Sequence, residues 1–163
     1  QIVVETGSFD KITQVAPNTL CNVYAMIGGS GSTLALVVLL LVLGKKGSAE
    51  RSIGKVSIIP GLFGINEPVT FGLPIVLNPI LSIPFLVMPC ISIGLGYLVQ
   101  KIGLVSMGYI VDPSFTPFFA QGFLSALDIR NVIFMIVLII ISVGVYYPFF
   151  KVYEKNTLAN EAE

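Results

Sequence analysis

Residues 64–79 of this chain read GINEPVTFGLPIVLNP. One carboxylate, Glu67, stands at the start of a segment that carries no Asp, Glu, Lys or Arg between Pro68 and Gln100. A charge in lipid is costly, and ionisable side chains at membrane depth face a cavity or a partner and mark a substrate or ion path. The stretch therefore predicts a membrane protein with a transport site at Glu67.

The composition of the chain also predicts an integral membrane protein. Of the 163 residues, 55% are hydrophobic and 11% are charged, whereas a soluble domain has about 25% charged residues. The formal net charge is zero, which disfavours nucleic acid as a partner. These residues include no His, and the two cysteines, Cys21 and Cys90, lack metal-motif spacing. We therefore expect neither a metal site nor a cofactor.

Hydropathy predicts an all-α fold with about three spanning helices and additional re-entrant or broken segments. The predicted spans are residues 26–43, 73–99 and 131–150, since about 17–25 apolar residues cross a bilayer. Glycine and proline interrupt the apolar residues of 56–72 and 103–126, and irregular backbone at membrane depth needs protein or a water-filled cavity around it. Prolines at positions 79, 84 and 89 predict a kinked or interrupted second span.

Basic residues give the predicted orientation. A polar connector after the first span holds Lys45, Lys46, Arg51 and Lys55, and a polar tail covers 151–163. The positive-inside rule places the connector and the tail in the cytoplasm. Because Gln1 opens the chain and no signal peptide follows it, we expect the C-terminal part of a longer protein.

Two polar motifs each allow two interpretations. Residues 28–33, Gly-Gly-Ser-Gly-Ser-Thr, match neither a phosphate loop nor a dinucleotide fingerprint. They either pack helices closely through small residues or line a polar cavity with backbone amides and hydroxyls. At Asn66-Glu67, the carboxylate is either solvated at the interface or accepts hydrogen bonds from a polar solute at the end of a broken helix. Carboxylates suit sugar hydroxyls, because charge-assisted hydrogen bonds are strong.

Aromatic residues form two further groups. Phe115 and Thr116 open the cluster 115–119, Phe-Thr-Pro-Phe-Phe, in the second broken segment, where the rings either pack in lipid or core or form an apolar platform under a sugar. Tyr146-Tyr147 and Phe149-Phe150 lie at the end of the last predicted span, which is typical of an aromatic belt at the membrane interface.

Residues 64–79, 28–34 and 146–154 together resemble a known family. They are similar to motifs of the membrane-embedded enzyme IIC permeases of the phosphoenolpyruvate:sugar phosphotransferase system, in the lactose/cellobiose/diacetylchitobiose group. The likeness covers nearly the whole chain, so that 1–163 is identified as the C-terminal part of a IIC transmembrane domain. The Asn-Glu-Pro stretch is the most specific of the three motifs.

The resemblance implies a function, a set of partners and a location. Permeases of this group are homodimers in the bacterial cell membrane that bind a β-linked disaccharide and present its 6-hydroxyl to a phosphocysteine on the partner protein IIB. An elevator-like motion of the sugar-binding part carries the sugar across. IIB supplies the phosphoryl group, so the IIC chain itself is a permease component. The family's motif glutamate matches Glu67, with Asn66 assisting and with Phe115 and Thr116 as further contacts.

Two departures from the family pattern and two rival functions remain. The family has a site histidine on an upstream hairpin, which would precede Gln1 here, as would most of the dimer interface. The family often has Trp-Thr where this chain has Phe115-Thr116. The rivals are a non-transporting membrane scaffold, in which Glu67 is structural, and an ion-coupled carrier, which releases unmodified sugar.

Overall fold

The computed structural model describes residues 17–108, 110 and 116–160, with side chains described as far as Thr157. The α-helices in this part are α1 (Leu34–Leu43), α2 (Ala49–Leu62), α3 (Glu67–Gly72), α4 (Pro79–Ile102), α5 (Phe118–Ala126) and α6 (Ile129–Asn160). A π-helical turn covers Thr19–Tyr24, and 3-10 turns cover Ser30–Ser32 and Ile75–Leu77. These ranges contain no strand, which agrees with the predicted all-α fold.

Two of the described helices, α4 and α6, are long and apolar enough to cross a bilayer. Asn78 caps α4 by accepting hydrogen bonds from the backbone N–H groups of Ile80 at 2.9 Å and Leu81 at 3.3 Å. Pro84 and Pro89 lie inside α4 without ending it, so this helix is not interrupted. The prediction of about three spans stays a prediction, because α1 has only 10 residues.

The first predicted span, 26–43, is helical only in its second half. Gly28, Gly29 and Gly31 have φ angles of 78°, 95° and 79°, which an α-helix does not allow. The glycine-rich turn, residues 28–33, therefore precedes α1 instead of extending it. Sequence reading missed this break because every residue of the turn is small and uncharged, as in a closely packed membrane helix.

Two other predicted boundaries also differ from the structure. Helix α2 begins at Ala49, because Ser48 caps it by accepting the N–H of Arg51 at 3.3 Å, so the polar connector is partly helical. Helix α6 continues into the predicted tail, where Lys151 pairs with Glu154 at 2.8 Å. In segment 103–126 only α5 is helical among the described residues.

Buried apolar side chains form two clusters around α4 and α6. The first includes Leu36, Leu40, Leu81, Met88, Tyr146 and Phe150. The second includes Val23, Tyr24, Ile27, Met135 and Leu138. Helix α1 packs on α2 and α6, α4 packs on α6 and on the glycine-rich turn, and α2 packs on α3. These contacts place α3 beside α2.

A buried polar network joins the π-helical turn to three helices. The Tyr24 hydroxyl donates to Asn131 Oδ1 at 2.9 Å and accepts from Gln100 Nε2 at 3.3 Å. Asn131 Nδ2 donates to Ser125 Oγ at 3.4 Å. Tyr24, Gln100 and Asn131 are all at most 1% exposed. Since a buried polar group without a partner is costly, the network fixes how these elements pack.

Replacing Tyr24 by Phe is expected to destabilise the protein by about 1–3 kcal/mol, because Asn131 and Gln100 each lose a buried partner while the ring is kept. Thermal unfolding in detergent would measure the loss. Tyr97→Phe is the control, since Tyr97 is 43% exposed. Equal unfolding temperatures for the two variants would contradict a stabilising network.

Candidate functional site: Glu67 at the start of α3

Glu67 is the first residue of the short helix α3. The chain turns between α2 and α3, where Ile65 N–H donates to the Pro60 carbonyl at 3.0 Å and Gly64 has a φ of 79°. Pro68 follows in the first helical turn, a position that needs no N–H donor. The Glu67 side chain is exposed. Its carboxylate is therefore available to a ligand at the point where the helix begins.

Asn66 ties this helix start to the glycine-rich turn. Its Nδ2 donates to the Ser30 carbonyl at 2.9 Å, a contact between residues 36 positions apart. A Cβ placed on Gly29 would lie 2.5 Å from Asn66 Cγ, so only glycine allows this approach. The two polar motifs of the sequence thus meet in the fold.

The glycine-rich turn is an internally bonded, mostly buried structure. The Thr33 hydroxyl donates to the Gly28 carbonyl at 2.7 Å, and the Ser32 hydroxyl donates to the Ala25 carbonyl at 3.1 Å. Both hydroxyls belong to buried residues. Of the two interpretations of this motif, the contacts favour close packing, although it is a turn and not a helix that packs. The turn positions α3 and does not offer these hydroxyls to a cavity.

Tyr146 contacts the glycine-rich turn, and the prediction that it lies in an aromatic belt is wrong. It is 0% exposed, whereas Tyr147 is 48% exposed. The Tyr146 hydroxyl donates to the Gly31 carbonyl at 2.7 Å. Helical spacing carried the missed signal, because Leu138, Ser142, Tyr146 and Phe150 recur every four residues and share one face.

One more polar atom near Glu67 has no partner among the described residues. The Thr70 Oγ1 is buried and unpaired, and its backbone N–H donates to the Asn66 carbonyl at 2.9 Å. Residues four apart on a helix lie on the same face, so Thr70 follows Asn66 on that face of α3. The exposed Glu67 carboxylate and the partly exposed Asn66 amide can together bind a polyhydroxylated solute, whereas the buried Thr70 hydroxyl is not open to one.

Phe115 and Thr116 are the second predicted part of the site, and no contact among the described residues joins this part to Glu67. Phe115 lies outside these residues. Thr116 precedes α5, whose main packing partners are α6 and the π-helical turn. A role for Phe115 and Thr116 beside Glu67 thus stays a prediction.

Comparison with known proteins gives consistent matches. The family model described as "Phosphotransferase system, EIIC" matches residues 4–89. The chain is 33% identical over 154 residues to the lichenan permease IIC component of Bacillus subtilis (strain 168), covering 93% of this chain and 34% of that protein. It is 37% identical over 131 residues to the cellobiose-specific EIIC component of Lactococcus lactis subsp. lactis (strain IL1403), covering 77% of this chain and 26% of that protein.

A fused relative and a solved structure match as well. The lactose-specific EIICB component of Streptococcus mutans serotype c is 35% identical over 143 residues, covering 84% of this chain and 24% of that protein. The crystal structure of the transporter ChbC, the IIC component of an N,N'-diacetylchitobiose-specific phosphotransferase system, matches with a TM-score of 0.80 and 39% identity, covering 86% of this chain and 33% of that one. The chain spans 24–34% of the length of these curated relatives. With more than half of its residues matched by the family model, it belongs to the EIIC family of the phosphotransferase system.

Proposed function

We propose that this chain is the C-terminal part of the IIC transmembrane domain of a bacterial phosphotransferase system for a β-linked disaccharide. Cellobiose, diacetylchitobiose and lactose are the candidate sugars, because these are named for the related proteins. The observation that carries the proposal is the exposed Glu67 carboxylate at the start of α3, directly after Asn66, which donates to the glycine-rich turn.

Glu67 binds the sugar and assists the chemistry in this proposal. Its carboxylate accepts charge-assisted hydrogen bonds from sugar hydroxyls. The sugar 6-hydroxyl attacks the phosphorus of phosphocysteine on IIB, so an O–P bond forms and the S–P bond breaks. The cysteine leaves as thiolate, and Glu67 orients the attacking hydroxyl or takes its proton. The product is sugar 6-phosphate.

Asn66, Phe115 and Thr116 complete the proposed site. The Asn66 nitrogen already donates one hydrogen bond to the Ser30 carbonyl, so Asn66 assists by anchoring Glu67, and its oxygen and second N–H are left for the sugar. Phe115 gives an apolar face for the sugar ring, without the indole N–H of the tryptophan that the family often has. Thr116 contributes a hydroxyl at the same face.

The basic end of the molecule is the proposed cytoplasmic side, where phosphorylated IIB binds. Lys45 and Ser48 of the α1–α2 turn line one cleft together with Tyr153, Glu154 and Thr157 of α6. The turn and the end of α6 therefore lie at the same end of the fold, which supports a common side for the basic residues. We propose a homodimer in the bacterial cell membrane for the whole protein.

Uptake into membrane vesicles tests the proposal. The IIC protein carrying this sequence is supplied with labelled cellobiose or diacetylchitobiose, with and without phosphorylated IIB. Sugar 6-phosphate inside only with phosphorylated IIB is the expected result. Unmodified sugar accumulating with an ion gradient would instead identify an ion-coupled carrier, and absence of uptake for both sugars would favour a scaffold or a different substrate.

A further inference from the structure

Two neighbouring carbonyls of the glycine-rich turn are held by side chains from different parts of the fold. The Ser30 carbonyl accepts from Asn66 Nδ2 at 2.9 Å, and the Gly31 carbonyl accepts from the Tyr146 hydroxyl at 2.7 Å. Asn66 directly precedes Glu67, whereas Tyr146 lies on α6, 115 residues from Gly31. A continuous path of contacts thus runs from the core of α6 to the candidate site.

The turn between these two contacts has little room to shift. A Cβ placed on Gly31 would lie 2.3 Å from the Phe85 ring of α4, and one on Gly29 would lie 2.5 Å from Asn66 Cγ. Residues 31–33 are buried. Packed interiors transmit small displacements because they contain few voids. A change in the direction of the Gly31 carbonyl would therefore reach the neighbouring Ser30 carbonyl.

We propose that Tyr146 is a positioning residue for Glu67, acting through the glycine-rich turn and Asn66. This inference rests on the proposed role of Glu67 in sugar binding. The Tyr146 hydroxyl is the donor that fixes the Gly31 carbonyl, in an interior where a hydrogen bond is stronger than in water. Without this hydrogen bond, the Ser30 carbonyl is no longer held in position to accept from Asn66. The start of α3 then loses the geometry that binds sugar.

Tyr146→Phe isolates the hydroxyl, because the ring stays packed in the cluster that includes Leu81 and Met88. We expect the dissociation constant for the sugar to rise about tenfold in the folded IIC protein, the factor that corresponds to losing one buried hydrogen bond. Tyr147→Phe is the matched control, since Tyr147 is adjacent in sequence and 48% exposed. The sugar affinity of this variant should equal that of the unmodified protein.

A double-mutant cycle separates positioning from a purely structural role. If Tyr146 acts through Asn66, the combined effect of Tyr146→Phe and Asn66→Ala on sugar affinity is smaller than the sum of the single effects. A lower unfolding temperature with unchanged sugar affinity, or additive losses of affinity, would overturn the inference. Should Tyr146→Phe fail to fold, Asn66→Ala alone decides: unchanged affinity in that variant also overturns the inference.

The same measurements distinguish this inference from the proposed function. If Glu67→Gln binds sugar normally, the proposed site is wrong and the positioning role falls with it. If Glu67→Gln loses binding while Tyr146→Phe binds like the unmodified protein, only the positioning role is wrong. Sugar affinity is measured by calorimetry on detergent-solubilised protein, with unfolding temperature recorded for every variant.

Discussion

Replacing Glu67 by Gln is expected to reduce sugar phosphorylation and uptake by about 100-fold or more, because the side chain loses the charge that would accept a proton from the attacking hydroxyl. The amide keeps the size of the carboxylate, so the change removes charge and little volume. Hydrogen bonds to an ionised acceptor are also roughly twice as strong as neutral ones, and sugar affinity should therefore fall as well.

Uptake of labelled sugar with phosphorylated IIB measures this effect, and immunodetection in the membrane fraction confirms insertion. Asp128→Asn is the control, because Asp128 precedes α6, away from the cleft at the proposed IIB side, and its Oδ1 accepts from the backbone N–H of Arg130 at 2.9 Å. Asparagine is as good a capping residue as aspartate, so this variant loses a charge but should transport normally. Unchanged uptake by Glu67→Gln would show that the carboxylate has no part in the reaction.

The sequence predicted those parts of the fold in which hydropathy and length agree. Helices α4 and α6 overlap the spans predicted at 73–99 and 131–150, since long apolar runs leave few alternatives in a membrane. The glycine-rich turn was missed because glycine is compatible both with a packed helix and with a positive φ. The contacts of Gly29 with Asn66 and of Gly31 with Phe85 favour the turn over a continuous helix, and they are visible only in the structure.

The candidate site was predicted as separate motifs, without the contact that joins them. Glu67 stands out in sequence because a lone carboxylate before a charge-free segment is unusual. The hydrogen bond from Asn66 to Ser30 could not be foreseen, because it depends on how α2 and α3 fold back toward the turn. Tyr146 was misassigned because the aromatic-belt rule considers position along a span but not the face of the helix, and its four-residue spacing from Ser142 and Phe150 identifies the buried face.

Gly29→Ala is expected to weaken sugar binding by about tenfold or more, because it combines backbone strain with a collision at Asn66. Gly29 has φ 95° and ψ −173°, a conformation that costs other residues about 1–3 kcal/mol. The new Cβ would also lie 2.5 Å from Asn66 Cγ. Asn66 must then move away from the Ser30 carbonyl, and Glu67 moves with it.

Gly47→Ala separates the two causes, because Gly47 has φ 88° but nothing within 4 Å of an added Cβ. This control carries backbone strain in the polar connector without a collision near Glu67. We expect both variants to lower the unfolding temperature and only Gly29→Ala to raise the dissociation constant for sugar, as measured by calorimetry. If Gly29→Ala bound sugar as tightly as Gly47→Ala, the approach of Asn66 to the glycine-rich turn would not determine the geometry of the site. The loss of affinity in Gly29→Ala alone would mean that the turn acts on the sugar through Asn66 and Glu67, since residue 29 adds no polar group of its own.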